Sequence, residues 1–152
     1  MLFRSTIIIA DLNGLKTAND ELGHGAGDAL LRRAGEVFGS LVTKPASVSR
    51  IGGDEFAVLL PGTDAAGGEA VLATLAELIE LNNQYYPDFE LSISTGIATS
   101  RPGDRLEQVV KRADMKMLHA KRLYYLQDDR DRRLPGAEHA DRPRTRVSLA
   151  PE

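Results

Sequence analysis

Acidic side chains able to bind a cation stand at two places where apolar runs stop. Asp11 closes the run FRSTIIIADL at residues 3–12, and Asp54 and Glu55 follow Gly52 and Gly53 in SRIGGDEFAVLLPG at residues 49–62. A β-hairpin needs glycine at its turn, but it does not need adjacent acids at its tip. Alone, Asp11 reads as a helix cap and the Asp54–Glu55 pair as a solvated turn. Together they read differently. If the hairpin lies beside the first strand, Asp11 and Asp54 come from neighbouring strand ends, and carboxylates that close repel unless a cation sits between them. Oxygen ligands in a chain without cysteine favour Mg²⁺ or Mn²⁺. Magnesium is usually held by one or two carboxylates plus substrate phosphates, which points to a nucleoside triphosphate. The turn Asn13-Gly14-Leu15-Lys16 suits phosphates, because a helix N-terminus offers unpaired N–H groups and Gly14 permits close approach to the backbone. Lys16 could add a point charge, although an exposed lysine there needs no ligand. Pattern alone decides Lys121 neither way. His24, His119 and His139 lack metal-ligand spacing, and His24 reads as structural, tying down the glycine-rich turn.

Those residues need elements to position them. Residues 3–12 read as a continuous, buried, β-branched strand. A short helical stretch follows, broken by Gly23, Gly25 and Gly27, and then a helix over 26–42 with Leu30, Leu31, Ala34, Val37, Phe38 and Leu41 on one face. Residues 47–51 and 56–60 read as strands around the Gly-Gly turn, stopped by Pro61-Gly62. Asp64 can cap a helix over 65–82, residues 89–100 read as a strand, and Asp104 can cap a last helix over 105–125. Leu106, Val109, Val110, Ala113, Met117 and Leu118 form the inward face of that helix. The order β-α-α-β-β-α-β-α contains a central hairpin, so an α/β (α+β) fold with a mixed sheet and flanking helices is expected. After Gln127 the chain carries mixed charges, three prolines and few large apolar residues; 127–152 reads as a tail or linker with little core of its own.

At 152 residues and 42% hydrophobic, the chain suits one packed domain. A net charge of −3 argues against non-specific contact with nucleic acid or an anionic membrane. No apolar run is long enough to span a bilayer and no signal peptide is visible.

The motif RIGGDEF resembles the signature of the GGDEF domains, the diguanylate cyclases. The likeness runs from about residue 5 to 125. ADLNGLKTANDELGHGAGDALL is similar to the family's D-[ILV]-[DN]-x-[FL]-K-x-x-N-D-x-x-G-H-x-x-G-D-x-x-L, LSISTGIA to its S-x-G-I-A strand, and ADMKMLHAK to its A-D-x-x-[ML]-Y-x-A-K helix. The resemblance implies a palm-like fold, as in nucleotide cyclases and polymerases. It implies condensation of two GTP to cyclic di-GMP and two pyrophosphates, between two domains face to face. It places Asp11, Asp54 and the Leu12 carbonyl on Mg²⁺ or Mn²⁺, two ions per site. Glu55 would be a second-metal ligand or the base acting on the 3′-hydroxyl. Asn19 and Asp28 would read guanine. Gly14, Leu15 and Lys16 would cradle the β- and γ-phosphates with added charge from Lys121, and Gly52 and Gly53 would leave room for the nucleotide.

The chain departs from that family in four ways. The usual opening segment and its helix are missing, so the chain reads as part of a longer protein with its N-terminal helix cut off. A sensory domain is then expected upstream. The product-inhibition motif R-x-x-D is replaced by Thr43, Lys44, Pro45 and Ala46, so feedback through it is not expected. Tyr125 stands near the place of an arginine that approaches the phosphates, which predicts weaker triphosphate binding. Asn13 stands where aspartate is common, removing one negative charge from the expected site. The reading is a cytoplasmic cyclase domain over 1–126 acting as a homodimer, with any membrane anchor elsewhere in the parent protein. The competing reading is a catalytically silent GGDEF module that binds GTP and regulates an attached domain.

Overall fold

The computed structural model describes residues 4–133 and 147–148. The elements are β1 (Ser5–Leu12), α1 (Leu15–Leu22), α2 (Gly25–Gly39), β2 (Ser47–Arg50), β3 (Glu55–Pro61), α3 (Ala65–Tyr85), β4 (Ile93–Thr99), α4 (Leu106–Arg133) and β5 (Val147–Ser148). The sheet runs β2-β3-β1-β4-β5. β1 pairs antiparallel with β3 and β4, β2 antiparallel with β3, and β5 parallel with β4, so the sheet is mixed as expected.

β1 is central and loses water on both faces, which explains its unbroken apolar run. Ile8, Ala10 and Leu12 join Val58, Leu60 and Ile93 beneath α1, α2 and α3, where Leu30, Phe38, Leu72, Leu75 and Ile79 are buried. Ile7 and Ile9 face the other way, onto Val109, Ala113 and Met117 of α4. α4 crosses β4 in backbone contact: a Cβ on Gly96 would lie 2.0 Å from the Ala113 carbonyl oxygen and 2.3 Å from the Met117 nitrogen. Only glycine admits the helix at that distance, and the approach brings the rest of α4 over the end of β1.

Several local expectations change. Asp64 does cap α3, accepting from the Gly67 N–H at 2.8 Å. Asp104 does not cap α4; its carboxylate accepts from the Arg101 N–H at 2.7 Å and pairs with Arg112 at 2.6 Å. Gln108 instead reaches back to the Arg105 N–H at 2.8 Å. Leu106 and Leu118 are exposed rather than inward, because α4 touches the sheet along Val109, Ala113, Met117 and Ala120. α4 also runs past the expected end at 125, to Arg133. Residues 127–133 are therefore helical: acids and arginines there fall at helical spacing, and Asp128 pairs with Arg132 at 2.8 Å. The rest of the expected tail lies outside the described residues, apart from Val147–Ser148 beside Ile93–Ser94. Among the described residues no helix is long and apolar enough to cross a membrane.

Candidate functional site

The antiparallel register of β1 and β3 sets Asp11 opposite Glu55, and the Leu12 N–H donates to the Asp54 carbonyl at 3.0 Å. Alternation along a strand puts Asp11 on the face of Ile7 and Ile9, and Glu55 on the face of Ala57 and Leu59. Both acids thus point toward α4. The Asp54 carboxyl stands within hydrogen-bonding reach of the Asp11 carboxyl. Like charges opposed across a ladder destabilise it, so the sheet end carries a standing repulsion.

α4 answers with one cation and adds one more acid. The Lys121 ammonium lies 2.9 Å from Asp11 Oδ1 and donates to the Leu12 carbonyl at 3.0 Å. Apart from that ion pair, Asp11 Oδ1 is buried without a hydrogen bond. Burial pushes the Asp11 carboxyl above its ordinary value; Lys121 opposes this and Asp54 adds to it. Glu55 is also raised, first by burial, then by the Asp114, Asp11 and Asp54 carboxylates, with Asp114 in hydrogen-bonding reach. Asp114 has no role in the sequence reading. Its signal was available, since Asp114 precedes Lys121 by seven residues and so shares its helix face.

These donors fit a divalent cation. The lysine ammonium already occupies a position between a carboxylate oxygen and a backbone carbonyl, both hard oxygen ligands. Among the described residues no three acids or imidazoles form a complete cage. Two carboxylates and a carbonyl would leave the other positions of a small hard cation to substrate oxygens and water.

Gly14 adopts φ 77° between β1 and α1, a left-handed conformation that favours glycine. No side chain caps α1. The Gly14 N–H donates to the Tyr125 hydroxyl at 3.2 Å. Leu15 is half-buried against the core and Lys16 is exposed beside it. Asn13 follows Asp11 by two residues, and its side chain is taken up by serines. It is buried, donating to Ser92 Oγ at 3.1 Å and accepting from Ser94 Oγ at 2.9 Å. It ties the end of β1 to Ser92 and Ser94, and Ser94 is the cross-strand partner of Asp11.

Asn19 reaches across the α1–α2 junction to Gly27, the residue before Asp28. Asn19 Oδ1 accepts from the Gly27 N–H at 2.8 Å, and a Cβ on Gly27 would stand 2.8 Å from the Asn19 amide. Asp28 follows directly, exposed in the first turn of α2. His24 makes no capping bond there. At the hairpin, neither Gly52 nor Gly53 has positive φ, so the turn conformation does not require glycine, contrary to expectation. Space is the difference: a Cβ on Gly53 would meet nothing within 4 Å, and one on Gly52 would touch only Glu55. Asp11, Leu12, Asp54, Glu55 and Lys121 are thus brought together, with the Gly14 turn joined to them through α4.

A family model described as Diguanylate cyclase, GGDEF domain, matches residues 3–124. The bifunctional diguanylate cyclase/cyclic di-GMP phosphodiesterase MucR of Pseudomonas aeruginosa is 36% identical over 125 residues, covering 78% of this chain and 18% of that protein. Diguanylate cyclase DgcS of Shewanella oneidensis is 30% identical over 118 residues, covering 76% of this chain and 38% of that protein. The chain therefore spans well under half the length of these curated relatives. A crystal structure of a sensory box/GGDEF family protein from Caulobacter crescentus aligns at TM-score 0.65 and 33% identity over 80% of each chain. The GGDEF domain of DgcB from Caulobacter crescentus, crystallised with c-di-GMP, aligns at TM-score 0.66 and 27% identity over 79% of this chain and 73% of that one.

Proposed function

The chain belongs to the diguanylate cyclase GGDEF domain family, and on that premise we propose that it condenses two GTP into cyclic di-GMP. In each half-reaction a 3′-oxygen bonds to the α-phosphorus of the other nucleotide. The bond from that phosphorus to the bridging oxygen breaks, and pyrophosphate leaves with the electron pair. Asp11, Asp54 and the Leu12 carbonyl would hold Mg²⁺ or Mn²⁺, which, when bound, stabilises charge on attacking and leaving oxygens. Glu55 is either a second-metal ligand or the acceptor of the 3′-hydroxyl proton; its raised proton affinity suits the second role. Asn19 and Asp28 would read the guanine edge, since a carboxylate accepts from both N1–H and N2–H₂. Gly14, Leu15, Lys16 and Lys121 would hold the β- and γ-phosphates. Gly53, open on its Cβ side, would leave room for the nucleotide.

One domain holds one GTP, so a second copy is the required partner. Residues 1–126 would form the cyclase domain, and the rest a connection that begins as the end of α4. A sensory domain upstream and a cytoplasmic supply of GTP complete the reading. The observation that carries it is the convergence of Asp11, Asp54 and Glu55 at one sheet end beside Lys121. The rival reading is a silent GTP-binding module that regulates an attached domain. Incubating the chain with GTP and Mg²⁺ and separating products by chromatography decides between them. Cyclic di-GMP from the unaltered chain, lost in Asp54→Ala, is the expected result. Product that survives the substitution overturns the site, and GTP binding without product favours the silent module.

A further inference from the structure

Tyr125 lies one helical turn beyond Lys121 on α4, so both side chains reach the same end of β1. Each takes a group that a metal-bound triphosphate would need. Lys121 holds Asp11 and the Leu12 carbonyl at 2.9 and 3.0 Å. The Tyr125 hydroxyl oxygen accepts the Gly14 N–H at 3.2 Å. The Tyr124 ring packs edge-on against Tyr125 with centroids 5.2 Å apart, and the Tyr124 hydroxyl stands 3.9 Å from where a Gly14 Cβ would be. Two phenols therefore lie over the turn that leads into α1.

We propose that Tyr125 is a built-in competitor for the phosphate turn: its hydroxyl takes the Gly14 amide in the nucleotide-free domain, and the triphosphate must displace it. This rests on the reading of Gly14–Lys16 as the phosphate cradle. One N–H has one hydrogen, so a phenol oxygen and a phosphate oxygen cannot both use it well. The phosphate wins, because hydrogen bonds to ionised acceptors are about twice as strong as neutral ones. Tyr125 therefore lowers apparent affinity without blocking the site. Tyr125 is 40% exposed, so its side chain can swing into water with little loss of packing. The device is selective: it weighs on ligands carrying β- and γ-phosphates and leaves ligands held by guanine alone untouched.

Tyr125→Phe keeps the ring and its contact with Tyr124 and removes only the hydroxyl. Calorimetric titration with the α,β-methylene analogue of GTP and Mg²⁺, which cannot release pyrophosphate, reads the effect in the whole chain. The variant is expected to bind this triphosphate roughly two- to tenfold more tightly, the value of one neutral hydrogen bond. GMP binding is expected to stay unchanged, and the melting temperature of the nucleotide-free protein to fall by a few degrees, because the same hydrogen bond is lost from that state. Equal or weaker triphosphate binding in the variant overturns the proposal, as does an equal gain for GMP. If neither protein binds the triphosphate, the cradle assignment falls and this proposal with it. Intact and identical triphosphate binding sinks the proposal alone.

Discussion

Two clusters of buried charge sit at opposite ends of the energetic scale in this domain. Arg33 of α2 is 7% exposed. Its Nε donates to Asn82 Oδ1 at 2.8 Å, Nη1 to the Phe89 carbonyl at 2.6 Å and Nη2 to Asn83 Oδ1 at 2.7 Å. Its guanidinium lies 5.0 Å from the centre of the Tyr86 ring. Asn83 passes the order on, donating to the Leu91 carbonyl at 3.0 Å and accepting the Leu91 N–H at 2.7 Å. Around Asp11 the match is poorer: its buried Oδ1 has the Lys121 ammonium at 2.9 Å and no further partner, and neighbouring carboxylates raise the proton affinity of Asp11 and Glu55. A charge kept for structure is matched donor by acceptor, as buried polar groups usually are. At the proposed site the charge is matched less fully, and the missing interaction is one a cation could supply.

Substitutions can break that contrast. The largest effect is expected from Asp54→Ala, which should cut cyclic di-GMP formation about a hundredfold or more while leaving the fold intact by circular dichroism. Arg33→Met should do the opposite. It strands the acceptors of Asn82, Asn83 and Phe89 and should lower unfolding free energy by about 3 kcal/mol in urea titrations. Nucleotide affinity of the folded fraction should not move; a selective loss of binding would assign Arg33 to the site. Lys121→Met sharpens the comparison. Without its ammonium on Asp11 and Leu12, Mn²⁺ alone should bind a few-fold more tightly by electron paramagnetic resonance, because no cation has to be displaced. Triphosphate affinity should fall in the same variant.

The smallest effect concerns Glu55 in chelator. Its folded proton affinity lies above the ordinary value of 4.5, mainly from burial and then Asp114. The native state thus favours the protonated form. Stability from this group is complete below pH 4.5 and declines as pH rises through the folded value. Glu55→Gln should therefore melt about 2 °C higher at pH 7, solvent screening keeping the gain small, with no difference at pH 4. A variant that is less stable at pH 7 would contradict the repulsion.

Much of the carboxylate cluster was legible because it depends on short-range rules. β-branched runs ending in acids, a hairpin motif and strand alternation suffice to bring Asp11 and Asp54 together. Other features escaped for definite reasons. Asp114 and Glu55 are 59 positions apart in the chain and meet only because Gly96 admits α4 against β4. Asn13 reads from its neighbours as a charge missing from the site, and no pattern in the sequence signals that its side chain bonds Ser92 and Ser94. Arg33 looks like one more basic residue on α2 until α3 and the chain before β4 close around it. Residues 127–133 read as tail by composition, while their charges pair along a helix.

The order of elements, the central apolar strand, the acid-tipped hairpin and the membership in a family were determined by the sequence itself, since each rests on residues close in the chain or on one fixed motif. Which atoms Lys121 and Tyr125 occupy, that Asn13 turns inward, and that Asp114 joins Glu55 were decided only by tertiary structure. The depth at which α4 packs on the sheet sets those distances, and that depth follows from the summed packing of residues far apart in the chain.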